Sequence, residues 1–400
     1  MRRVLAVPLA LTGLVMALGI GWPAFGPRDQ QALARAQVRY LASVMHQRAA
    51  DMQELFPEGE LFTYALTGLA AANLAAARPG TERPELLDIT EQALAAVDQP
   101  HVAEVFGTHR ELEHGAFYHG WRLLLLAGLL TDDGTDRAAR YRDRAHVEAV
   151  AVSSALGASP TGMVTSYPGR TWPCDNVVAM AAAAQVLGTV PPGWGDRVLA
   201  HVDPGSGLLP HEVDLSGAAL DPPRGSSQAL IQAFWPRLGL PSQYGAYSEA
   251  FVVREIGLVG VREHPVGVDK AGDIDSGPLV RGVSLSASAV GLAAARANGD
   301  TRLADSLDRE ADLLGLPWQW NGSRRYAMGE LPVGDAFLAW ARTVPVGPQT
   351  PGTAPPPWWG SGALVGLVLL STGFWLWLSG TYRPRRTPDG HQAADPAAGA

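Results

Sequence analysis

The sequence predicts an all-α fold: an (α/α)6 toroid of six helical hairpins flanked by N- and C-terminal transmembrane helices. Three observations carry that expectation. Six apolar helical stretches alternate with amphipathic ones, strand signals between them are scarce, and an uncharged apolar segment lies near each end of the chain.

The terminal segments come first. Residues 4–20 carry no charge, follow Arg2 and Arg3, and are extended by the apolar residues 21–25. Such a run reads as a transmembrane anchor or a signal segment. Residues 360–380 are also uncharged, with Trp358 and Trp359 before them and Tyr382, Arg383, Arg385 and Arg386 after. Tryptophans at one boundary and arginines beyond the other mark a membrane span, and arginine-rich flanks stay in the cytoplasm. The expected organisation is an anchor or signal segment over 1–26 and an extracytoplasmic domain over 27–343. A proline-rich linker (344–359), a transmembrane helix (360–380) and a disordered cytoplasmic tail (381–400) follow. This places the protein in the cell membrane, with the lipid bilayer as a partner and both termini cytoplasmic.

Composition narrows the function. The 31 Lys and Arg residues against 39 Asp and Glu give a net charge of −8, and no basic patch with interleaved aromatics appears, so nucleic acid is excluded as a partner. At 47% hydrophobic, the chain can bury a large core. Cys174 is the one cysteine, so no internal disulfide forms and no multi-thiolate zinc site is available.

The apolar stretches open at Leu61, His114, Pro173, Ser226, Ser276 and Gly329, each beginning with a polar or glycine-containing loop. A helix that is apolar on all sides is buried. Amphipathic segments at 28–55, 83–97, 136–156, 194–201, 247–258 and 300–314 lie between them. Six buried and six exposed helices in alternation fit a closed ring, with an open solenoid as the alternative. Alanine and glycine every few positions let the inner helices approach closely.

In such a ring the polar openings of the inner helices gather at one mouth, where helix N-termini supply unpaired N–H groups and partial positive charge. YPGRTWPCDN carries Trp172, Cys174, Asp175 and Asn176, with Pro173 suited to the first helical position. Asp175 and Asn176 either cap the helix or face the cavity. AGDIDSGP contributes Asp273 and Asp275 ahead of Pro278, more acid than a cap requires. ELEHGAFYHG holds His114 and His119, which do not share one helical face as a metal pair would, so no metal site is expected. Tyr64, His211, Arg224, Ser226, Tyr247 and Glu249 complete the candidates. No Ser-His-Asp signature, phosphate-cradling loop or dinucleotide fingerprint occurs, so any chemistry rests on acid–base groups.

The stretches FTYALTGLAAANLA, EHGAFYHGW and TWPCDNVVA resemble the linalool dehydratase/isomerase family. The resemblance covers residues 61–186 by motif and the rest by helix alternation alone. It implies an (α/α)6 barrel that acts on small terpene alcohols by acid–base chemistry, without metal or organic cofactor. By position, Cys174 would match a family cysteine, His114 or His119 the histidine, and Tyr64 the tyrosine. The family site employs two cysteines, whereas this chain has one.

The expected function is a membrane-anchored lyase, dehydratase or isomerase of a small, largely apolar molecule. Cys174, Asp175, His119, His114, Asp275, Tyr64 and Glu249 are its catalytic candidates. Trp172, Asn176, Tyr247, His211 and Arg224 are its binding candidates. Two alternatives stand beside it. One is a glycan-active enzyme using Asp175 with Glu249 or Asp275, and Trp172, Trp318 and Trp320 as sugar platforms. The other is a non-catalytic envelope scaffold or binding protein.

Overall fold

The computed structural model describes residues 28–348, without 78–79, 132–133, 256–257 and 275, together with 368 and 371. The chain divides into two units, Pro27–Trp358, and Met1–Gly26 with Trp359–Ala400. Apart from 368 and 371, the described residues belong to the first.

Its helices in chain order are α1 (Gln30–Gln53), α2 (Gly59–Ala77), α3 (Arg83–Val97), α4 (Pro100–Glu104), α5 (Gly115–Leu129) and α6 (Asp136–Ala158). Then come α7 (Pro173–Leu187), α8 (Trp194–Leu199), α9 (Gly225–Phe234), α10 (Tyr244–Phe251), α11 (Leu285–Ala297), α12 (Thr301–Leu314) and α13 (Pro332–Thr343). Packing follows the order α2, α5, α7, α9, α11, α13 and returns to α2, which closes a ring of six inner helices. Around it, α1 packs on α2 and α13, α3 on α2 and α5, α6 on α5 and α7, α10 on α9, and α12 on α11.

Local sequence explains the inner ring. Pro173 and Pro332 start α7 and α13 at positions where a missing N–H costs little. Small residues set the spacing: a Cβ on Gly120 of α5 would lie 3.1 Å from the backbone of Ala179 on α7. An aromatic cluster fills the axis. Phe62 packs against Phe117 (5.1 Å between ring centroids), Trp121 (5.1 Å) and Phe337 (4.9 Å), and Phe234 stacks on Trp340 at 5.7 Å. The chain ends of the ring are tied by a buried ion network. Arg342 on α13 donates to Asp308 (2.6 Å), Asp312 (3.0 Å) and Gln37 (2.6 Å), and Arg28 donates to Asp308 (2.8 Å) and Asp312 (2.9 Å).

The expected fold class needs correcting in two respects. Among the described residues no helix is long and apolar enough to cross a membrane, so flanking transmembrane helices are not supported. The longest helices, α1 and α6, carry charged residues, α2 with 19 residues is interrupted by Glu60 and Asn73, and the other inner helices have 15 residues or fewer. Residues 4–20 and nearly all of 360–380 lie outside the described residues. The domain is also not all-α. Antiparallel β1 (Glu212–Val213) and β2 (Ala219–Asp221) form one sheet, and β3 (Val252–Glu255), β4 (Leu258–Arg262) and β5 (Val283–Ser284) a second. β6 (Trp318–Trp320) and β7 (Ser323–Arg325) form a third. The outer helix expected over 247–258 stops at Phe251. Beyond it the β-branched run of valines takes the extended conformation, with Val252 opposite Val261.

Candidate active site

All six inner helices open toward one cavity of about 950 Å³. Phe62 and Phe117, from the first turns of α2 and α5, and Phe337, from the second turn of α13, line it as part of the aromatic cluster. Cys174 and Asp175 enter from α7, Ser226 and Ser227 from α9, and Ser286 and Ser288 from α11. Loops add Glu58, Trp172, His211 and Asp273, and the cavity runs outward to Leu307, Glu310 and Leu314 on outer helix α12. Most of the remaining wall is aliphatic, so each polar group stands out against it.

Backbone geometry fixes the mouth. Gly115 is the first residue of α5, with φ +75°, and its missing Cβ would lie 2.0 Å from the carbonyl oxygen of Ser166. Asn176 accepts from the N–H of Val164 (2.8 Å) and donates to the carbonyls of Val164 (3.1 Å) and Trp172 (2.9 Å). It therefore anchors the 164–172 loop, which presents Trp172 and Tyr167. The Tyr167 hydroxyl donates to Glu58. Cys174 Sγ lies 3.7 Å from Asp175 Oδ1.

Two titratable groups on this cavity are displaced in opposite directions. Burial pushes the His211 imidazole down to about 4, assisted by the Arg224 charge and opposed by Asp221, Asp273 and Glu212. Its Nδ1 is buried without a hydrogen-bond partner among the described residues, as is Trp172 Nε1. Their rings lie 6.3 Å apart. Burial pushes Glu310 the other way, up to about 8, against one opposing contact: the N–H of Val259 donates to its Oε1 at 2.8 Å. Behind the wall, Glu263 is fully buried and pushed up to about 7 by burial, against the hydrogen bond from Ser226.

Of the residues singled out from sequence, Trp172, Cys174, Asp175, His211, Ser226 and Asp273 line the cavity. His119, His114, Tyr64, Asn176, Tyr247, Glu249 and Arg224 do not. His119 points to the outer layer, where Nδ1 lies 2.9 Å from Glu148 on α6, and burial beside Arg122 lowers it to about 4. His114 binds the Gly107 carbonyl at 2.8 Å. The Tyr64 hydroxyl donates to Glu60 at 3.3 Å, and burial with that acid raises it to about 12. Tyr247 is fully buried on α10, and Glu249 is exposed on the same helix. Arg224 is held by Asp221 and Asp273. Asp275 lies outside the described residues.

Sequence reasoning passed over Glu310, Glu263 and Glu58. For Glu310 a signal was present: Leu303, Leu307, Ala311 and Leu314 form an apolar stripe on α12, and Glu310 interrupts it. No comparable pattern marks Glu263 or Glu58, which reach their positions through tertiary contacts. Among the described residues no group of three or more His, Cys, Asp or Glu side chains could hold a metal ion. No protein-family model matches the chain, and no curated protein matches its sequence.

Proposed function

We propose that the cavity is the reaction chamber of an acid–base enzyme that needs no cofactor. It would be a lyase, dehydratase or isomerase acting on a small, uncharged, largely apolar molecule bearing a hydroxyl group. The observation that carries this reading is one largely apolar cavity lined by both a buried glutamate, Glu310, and a buried imidazole, His211, with burial pushing the two in opposite directions. A glutamate ordinarily gives up its proton before a histidine does. Here the order is inverted, with His211 near 4 and Glu310 near 8. Between those limits Glu310 holds a proton and the imidazole is empty. Pairs of groups driven apart in this way are how acid and base roles are divided.

In a dehydration, Glu310 gives its proton to the leaving hydroxyl as the C–O bond breaks, releasing water. The C–H bond beside the resulting cation then breaks, its electrons form the alkene, and its proton passes to His211. A proton next to a carbocation is strongly acidic, so a weak base suffices. Returning that proton from His211 to Glu310 resets both groups. Phe62, Phe117 and Phe337 exclude water from the cation and face it with π-electron density. Cys174, Asp175 and Trp172 position the reacting end. The chemistry implied by the resemblance to the linalool dehydratase/isomerase family points the same way.

The test is turnover of tertiary prenyl alcohols by the purified protein, with product detected by gas chromatography and oligosaccharides run in parallel. Glu310→Gln should lose about 10²- to 10⁴-fold in rate. Undiminished turnover by that variant, or cleavage of oligosaccharides in place of alcohols, would refute the proposal.

A further inference from the structure

Among the described residues, Ser226 links the cavity to a fully buried carboxyl, that of Glu263. Glu263 follows β4 and is 0% exposed. Ser226 Oγ donates to its Oε1 at 2.9 Å, and the Ser226 N–H points to its Oε2 at 3.3 Å. Ser226 lines the cavity and Glu263 does not. The Glu263 carbonyl also accepts from the Gly225 N–H at 2.8 Å, which fixes the start of α9 against the strand. Capping α9 would explain a surface carboxylate. It does not explain one taken wholly out of water.

A hydroxyl has one hydrogen to give and two lone pairs. With Glu263 ionised, the Ser226 hydrogen is committed to Oε1, and the serine offers the cavity only lone pairs. With a proton on Oε1, Glu263 donates to Ser226 Oγ while Oε2 still accepts the N–H, and the serine hydrogen turns toward the cavity. We propose that Ser226, steered by Glu263, contacts the oxygen of the bound molecule and changes from acceptor to donor as Glu263 takes up a proton. Such a contact accepts an alcohol in either state, since a hydroxyl both gives and receives. A ketone or ether only receives, and is bound well only when Glu263 is protonated.

The surrounding charges leave Glu263 free to titrate near neutrality. Arg224 is committed to Asp221 and Asp273. On β4, Arg262 donates to the carbonyls of His264, Val268 and Arg281 and to Asp269. His264 Nε2 meets the Ala271 carbonyl at 3.1 Å. α9 has no ionisable side chain, the only one on α11 is Arg296 near its far end, and His211 faces the cavity uncharged at neutral pH. Burial brings Glu263 to about 7.

This inference rests on the cavity being a ligand site, and the experiment separates the two. Binding of 2-decanol and 2-decanone is measured by calorimetry at pH 5.5 and 8.5 in Glu310→Gln, the background for every variant below, because ionised Glu310 would itself accept from the alcohol and not from the ketone. Their affinity ratio is taken so that effects common to both ligands cancel. The ketone should lose about five-fold against the alcohol at the higher pH, the worth of one neutral hydrogen bond. In Glu263→Gln the amide donates to Ser226 at both pH values, so the ratio should stay at its low-pH value. In Ser226→Ala the ratio should not change with pH. A pH-independent ratio in Glu310→Gln itself, or a pH-dependent one when Ser226→Ala is added to it, overturns the role of Ser226 alone. Failure of both ligands to bind overturns the cavity as a ligand site and this inference with it.

Discussion

Replacing Glu310 with glutamine should stabilise the fold while removing activity, and the gain should grow with pH. In the folded chain burial raises this carboxyl from 4.5 to about 8, whereas the unfolded chain returns it to 4.5. Because its folded-state pKa is raised, the folded state keeps a proton that the unfolded state releases. Stability is therefore full below pH 4.5, falls as pH rises through the interval up to 8, and then levels off. At about 1.4 kcal/mol per pH unit, the loss is about 3 kcal/mol at pH 7 and approaches about 5 kcal/mol by pH 9, before local relaxation reduces it. Glutamine still accepts from the Val259 N–H but does not titrate. The variant should thus match the parent near pH 5 and exceed it by about 2 to 4 kcal/mol at pH 9. Urea denaturation at pH 5, 7 and 9 measures this. A stability difference that is the same at all three values would show that Glu310 ionises normally, and the acid assigned to the cavity would be lost.

Other outcomes follow from the same contacts. Arg342→Met should cost about 3 to 5 kcal/mol in urea denaturation, because it leaves buried Asp308 short of a countercharge; an unchanged midpoint would deny that this network closes the ring. Burial alone would raise Asp312, but Arg342, Arg28 and Arg324 hold it down to about 2. Its folded-state pKa is therefore depressed, so this contribution is present above pH 3.8 and lost as the pH falls through about 2, a decline that acid titration of ellipticity follows and that Arg342→Met should blunt. Gly115→Ala should cost more than about 1 kcal/mol and displace the 164–172 loop, since a Cβ there meets the Ser166 carbonyl at positive φ. Unchanged Trp172 resonances and stability in that variant would contradict it.

Part of this arrangement was legible in the sequence and part was not, for identifiable reasons. The stretches from Leu61 and Pro173 are apolar nearly all round, as a buried helix is, and they lie in α2 and α7 of the ring. The same property hides their rotation. Arg122 shares the outward face of α5 with His119, but it lies beyond EHGAFYHGW, and nothing within that stretch says that His119 turns outward to Glu148. The cluster at Trp172, Cys174 and Asp175 was easier, because a helix-opening proline fixes where the first turn begins. Residues 247–258 misled because a helix and a strand share this valine-rich composition; the pairing of Val252–Glu255 with Leu258–Val261, whose strand is paired in turn with Val283–Ser284, decided between them. Glu263 and Glu310 take their character from burial by other segments, which no local window contains.

The dependence of kcat/KM on pH for alcohol dehydration tests the central claim most directly. The account predicts a plateau bounded by a rise near pH 4, where His211 sheds its proton, and a fall near pH 8, where Glu310 sheds its own. A profile that already declines above pH 5, as an ordinary glutamic acid would impose, contradicts it.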